Sequence, residues 1–198
     1  MVSTAVGATS ATISIWETSA AVVTQRAFGW SVLASSLYIA ACFLSSYIGG
    51  ELVNLVKKRV KESEMIYGSL LAIAVSSILI YWYLPPDPTT ILLITGGEMP
   101  YTIGSVLVLN AANIARTYAQ TLANRAASGY GSKVRRRTSV TVSTVQAIGR
   151  AAGALVGLGV MESGEGANYV AAFIGGSALL ALVALLPSKE LRQALHEA

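Results

Sequence analysis

Three ionisable residues stand where charge is costly. Glu17, Arg116 and Arg150 each lie inside a predominantly apolar stretch, and an ionised group at mid-membrane costs about 2.5–3.5 kcal/mol on insertion scales. A chain keeps such a group where it faces protein or a wet cavity, which makes each a candidate functional residue. Asn113, Arg116, Gln120 and Asn124 recur at three- and four-residue steps and so share one helix face. Ser10, Ser14, Glu17 and Thr24 form a similar face upstream. These residue types suit recognition of a small anion, with Arg116 attracting it and Glu17 either pairing with Arg116 or taking a proton. The plainer alternative is a buried ion pair that only fixes helix packing. Arg150 keeps different company. It shares a face with Ser139, Ser143, Gln146, Gly153 and Gly157, and Gly149, Gly153 and Gly157 form a doubled small-xxx-small pattern that admits a second backbone. Gln146, Arg150 and Gly153 are therefore assigned to a helix–helix contact, where Arg150 is expected to bond carbonyls or a carboxylate. Gly49, Gly50, Gly175 and Gly176 are read as packing or helix-end positions.

Other chemistries lack their residues. The single histidine, His196, is two residues from the end of the sequence, and the single cysteine, Cys42, sits in an apolar run. Ser and Thr thus have no histidine to activate them, and no metal cluster or cofactor is expected. No nucleophile elbow, zinc-protease motif or phosphate-binding loop occurs. Glu162 and Glu165 read as a solvated turn, and Pro85 to Pro88 as a turn opening a long loop. The expectation is a protein that is not an enzyme.

The elements that must position these residues follow from composition. Of 198 residues, 54% are hydrophobic and only 12% charged, about half the charged fraction of an average soluble domain. That argues against a soluble enzyme or a nucleic-acid module and for an all-α polytopic membrane protein. Crossing about 30 Å of hydrocarbon takes about 20 helical residues. Six segments qualify, near 5–26, 30–54, 65–84, 101–126, 139–161 and 169–187, with 188–198 as a tail. The first is the least secure, and without it five spans remain.

Counted by alternating side, eleven of the fourteen basic residues gather on one side, between or after these segments. They are Lys57, Lys58, Arg59 and Lys61, then Arg125, Lys133 and Arg135 to Arg137, then Lys189 and Arg192. Only Arg26 falls on the other side. Basic loops stay cytoplasmic, so both termini are expected there and no nucleic-acid partner is. Trp30, Tyr81, Trp82, Tyr83, Tyr101 and Tyr169 gather at the opposite ends, where aromatic rings anchor in the interface. The order polar, glycine-rich, apolar then repeats, with Trp30 and Thr138 opening equivalent segments. Two units of three spans are inverted relative to each other, an architecture common among secondary transporters.

At this point the chain resembles the C-terminal half of a major facilitator superfamily transporter, its seventh to twelfth helices. Gly50-Glu-Leu-Val-Asn54 followed by Lys57-Lys58-Arg59 is similar to a degraded form of the signature between the eighth and ninth helices, with Leu55 and Lys57 departing from it. Glu17 to Thr24 with Phe28-Gly29-Trp30, Leu122 to Arg125, and Gln146 to Gly153 resemble the branch that holds SPX-domain vacuolar phosphate transporters and the lysosomal facilitators related to the ceroid-lipofuscinosis protein. The resemblance implies that Glu17, Arg125 and Arg150 match motif positions of the seventh, tenth and eleventh helices. It implies that the first and fourth segments line a central path, and a vacuolar, lysosomal or other endomembrane location. Arg116 matches no motif and rests on its polar face.

Such a transporter has two six-helix halves with the site between them. The expected partners are the bilayer, a small solute such as phosphate or an organic anion, and a second six-helix half, upstream in the same polypeptide or in another subunit. Glu17, Asn113, Arg116 and Gln120 are expected along the solute path. Gly50, Asn54, Arg59, Arg125, Gln146, Arg150 and Gly153 are expected in packing or gating. The alternative function is a membrane scaffold whose polar faces only join helices.

Overall fold

A computed structural model describes residues 2–56, 60–80, 97–161 and 166–185. All the regular structure among them is helical: α1 (Val2–Phe28), α2 (Val32–Val56), α3 (Glu62–Ile80), α4 (Glu98–Ser128), α5 (Ser132–Met161) and α6 (Gly166–Leu185). Three stretches are long and apolar enough to cross a membrane, Val32–Val53, Glu62–Ile80 and Asn168–Leu185. They belong to α2, α3 and α6. Arg59, the residues from Tyr81 to Thr95, Glu162, Glu165 and the tail lie outside the described residues.

Local chemistry sets the helix ends. Gly29, at φ 67°, stops α1 in the left-handed region that glycine tolerates, and the Trp30 amide donates to the Thr24 carbonyl at 3.1 Å. The Ser31 hydroxyl then accepts from the Ala34 amide at 3.2 Å, capping α2. Glu62 and Glu64 occupy the first turn of α3, where a negative charge complements the helix dipole. The basic stretch from Lys133 to Arg137, expected as loop, is the exposed first part of α5. It holds no glycine or proline, and lysine and arginine are good helix formers, so only residues 129–131 remain as the turn.

The segment expected to be least secure lies deepest. Helix α1 touches α2, α4, α5 and α6, and α4 touches α1, α2, α3 and α5. Small residues let α1 approach its neighbours, and four of its hydroxyls bond carbonyls of the same helix. Thr9, Thr18, Ser19 and Thr24 all donate to carbonyls three or four residues back. Two of its hydroxyls also join helices. Thr24 and Ser35 of α2 share a bond at 2.8 Å, and Thr12 and Ser177 of α6 share one at 3.1 Å. Trp16, Val108, Leu109, Leu70 and Ile174 fill the core around them.

The broadest interface joins α1 to α5. A Cβ at Gly149 would overlap the Gly7 carbonyl, one at Gly153 the Ala11 carbonyl, and one at Gly157 the Thr18 hydroxyl. The three glycines form a strip along which two backbones touch.

Candidate functional site

Helices α1, α4 and α5 place Glu17, Arg116 and Arg150 around one region of the bundle. Arg150 Nη2 donates to both carboxylate oxygens of Glu17, at 3.1 and 3.4 Å. The glycine strip sets this pair, because Gly149 and Gly153 bring α5 against α1 on either side of Arg150. One nitrogen reaches both oxygens, so this is not a two-nitrogen fork, and the side chains are 52% and 25% exposed. It is an accessible pair.

Arg116 has a different partner. Its Nη2 donates to Asn113 Oδ1 at 2.7 Å, one turn back on α4, and Asn113 Nδ2 donates to the Ser46 hydroxyl of α2. Arg116 is half-buried. No carboxylate bonds it among the described residues, although Glu17 and Arg150 both act on it electrostatically. Guanidinium presents five donors, and a single amide engages one of them. Two arginines and one glutamate leave this region one positive charge in excess. Gln120 continues the face and donates to Gln146 of α5 at 2.8 Å.

Beside Asn113, α2 and α4 diverge and leave an open cleft of about 360 Å³. Phe43, Tyr47, Ile114 and Tyr118 give it apolar walls; Ser46, Thr117 and Asn113 give it polar ones. Glu51 is the charged residue in its lining. Gly50 also lines the cleft, with open space where its Cβ would stand, whereas a Cβ at Gly49 would strike the Asn110 amide.

Each end of the bundle is tied. At one end Arg125 Nη2 meets Glu62 Oε1 at 2.9 Å, joining α4 to α3. At the other, Trp30 Nε1 donates to Glu98 Oε1 at 2.9 Å, and the rings of Phe28, Trp30, Tyr38 and Tyr101 contact one another.

The structure thus brings together Glu17, Asn113, Arg116, Gln120, Gln146 and Arg150, and the carboxylate at Arg150 is Glu17, for which Arg116 was a candidate partner. The spacing on α5 explains this, since close backbone contact leaves Arg150 the nearer cation. Arg125 stands at the bundle end, away from this region, and Asn54 falls in the last turn of α2. The α1 face divides. Ser10 is buried without a partner among the described residues, Thr24 turns to α2, and Glu17 meets Arg150. Phe43, Ser46 and Tyr47 escaped the sequence reading, although with Gly50 they follow the spacing of one helix face. Among the described residues no group of acidic, histidine or cysteine side chains could hold a metal ion. Compared with family models, curated proteins and solved structures, the chain matches none.

Proposed function

We propose that this chain is one six-helix half of a secondary active transporter, built as two inverted three-helix repeats, which moves a small anion by alternating access against a second half. Arg116 carries the proposal. A half-buried guanidinium bonded, among the described residues, only to an amide leaves its charge for a ligand to neutralise, beside a cation and a carboxylate that already pair. Release from water strengthens that attraction.

Helix contacts support the repeat. Exchanging α1–α3 with α4–α6 turns the α1/α5 contact into α4/α2, α1/α6 into α4/α3, and α1/α2 into α4/α5, and all six contacts occur. When Trp30 is set on Thr138, Ser45 and Gly49 fall on Gly153 and Gly157. Both pairs lie where their helices approach a neighbour: Ser45 and Gly49 meet Asn110, and Gly153 and Gly157 meet α1.

In this reading the Glu17–Arg150 pair is the coupling element. Protonation of Glu17 releases Arg150 to join Arg116 on the anion, and departure of the anion restores the pair. Both termini are cytoplasmic, as the basic residues require, and the resemblance to vacuolar and lysosomal facilitators favours an endomembrane. Anion uptake into vesicles carrying the intact protein tests the reading. Arg116→Gln is expected to lower uptake about 10- to 100-fold, as loss of a charge-assisted contact implies, with expression and unfolding temperature retained. Unchanged uptake refutes it. Lost assembly with no flux in the parent protein supports the scaffold instead.

A further inference from the structure

The cleft between α2 and α4 bears on what the solute is. Its volume, about 360 Å³, lies within the range of about 300–1,000 Å³ typical of small-molecule sites. At about 30 Å³ per water it has room for about a dozen waters. A lone tetrahedral oxyanion would leave most of that space wet against the Phe43 and Tyr47 rings and the Ile114 side chain. Tyr118 also lines it, is buried, and has a hydroxyl without a partner among the described residues.

The polar groups are arranged unevenly along the cleft. Asn113 forms part of the wall and accepts from the Arg116 guanidinium at 2.7 Å, so the positive charge stands one hydrogen bond from the cleft. The carboxylate of Glu51 lines it five residues along α2 from Ser46, the partner of Asn113, about 7.5 Å at helical rise. One end therefore attracts an anion and the other repels one.

We infer that the solute is an amphipathic organic monoanion. Its anionic head binds at Arg116 and Asn113, and its apolar or aromatic body lies in the cleft against Phe43, Tyr47, Ile114 and Tyr118. Glu51 excludes a second negative charge at the far end. This rests on the anion site at Arg116 and narrows it: inorganic phosphate lacks the body, and a linear dianion meets Glu51.

Calorimetric titration of the full chain in detergent, with phenylpropionate, phenylenediacetate and inorganic phosphate as probes, tests the inference. Phenylpropionate is expected to bind about tenfold or more tighter than either other probe. Tyr47 is 69% exposed, so Tyr47→Ala should fold normally by circular dichroism. It should weaken phenylpropionate about tenfold, the scale of one lost aromatic contact, and leave phosphate unaffected. Glu51→Gln should bring phenylenediacetate close to phenylpropionate. If phosphate binds as tightly as phenylpropionate, or Tyr47→Ala changes nothing while Arg116→Gln abolishes binding, the cleft assignment falls and the anion site stands. If Arg116→Gln leaves every affinity unchanged, or the folded protein binds none of the probes, both fall.

Discussion

Adding one methyl group at Gly153 should open the interface that holds Glu17 against Arg150. An alanine Cβ there overlaps the carbonyl oxygen of Ala11 and crowds its Cα, both backbone atoms of α1 that have no rotamer into which to retreat. The helices must separate. Overpacking of this kind costs about 1–3 kcal/mol, and replacing a mid-helix glycine by alanine returns about 0.5–1 kcal/mol. A net loss of about 0.5–2 kcal/mol is expected for Gly153→Ala. Gly159 supplies the internal control: it lies on the same helix with nothing within 4 Å of an added Cβ, so Gly159→Ala should gain the helix term alone. Equilibrium unfolding in mixed micelles reads the difference between the two variants, expected at about 1–3 kcal/mol. Gly153→Ala should also weaken coupling between Glu17 and Arg150, because Gly153 lies one turn beyond Arg150 on the face that meets α1. Two variants of equal stability, or a Gly153→Ala protein more stable than the parent, would refute the close α1–α5 contact and the geometry of the ion pair with it.

A double-mutant cycle of Glu17→Gln and Arg150→Gln should give a coupling of about 0.2–1 kcal/mol, the range for exposed pairs. A value of several kcal/mol would mean that solvent does not reach the pair. Thr24→Val removes the bond to Ser35 and leaves that hydroxyl buried, so thermal unfolding should report a loss of about 1–3 kcal/mol. An unchanged midpoint would place Ser35 in contact with water. Cys42 is 1% exposed and should react slowly with a membrane-impermeant maleimide, whereas Tyr47→Cys in a Cys42→Ser background should react quickly; equal slow rates would mean that the cleft is closed to water.

The sequence made the helices legible because hydrophobic runs of the right length leave few alternatives, and glycine fixed several of their limits. It also made Gly149, Gly153 and Gly157 visible as a close-contact strip, since a residue lacking a side chain at every fourth position has few other uses in a helix. What it hid was depth. Helix α1 looks weakly hydrophobic because hydropathy counts each Ser and Thr as a polar group to be hydrated. In the fold, Thr9, Ser19 and Thr24 spend their hydroxyls on their own helix and are fully buried. Ion-pair choice was hidden too. Periodicity put Glu17 and Arg116 on inward faces, but which cation lies nearer a carboxylate depends on the distance between helix axes, and the glycine strip decided for Arg150.

That same dependence on helix spacing explains why a cleft exists between α2 and α4. The α1/α5 and α4/α2 contacts occupy equivalent places if the two halves of the chain are repeats, and Gly157 and Gly49 occupy equivalent positions in them. At Gly157 the neighbour is the α1 backbone and the Thr18 side chain, which draws α5 in. At Gly49 the neighbour is the longer Asn110 amide, which also bonds Ser45 at 3.3 Å and holds α2 off α4. Phe43 and Tyr47, 39% and 69% exposed, line the cleft on its α2 side. One interface therefore fixes the Glu17–Arg150 pair, and its counterpart is propped open beside Arg116. Replacing Asn110 by Ala removes the prop and should let α2 approach α4. Cross-linking between cysteines introduced at Tyr47 and Thr117 should then speed up relative to the Asn110 parent, and a rate that falls or stays constant would show that something other than Asn110 holds the cleft apart.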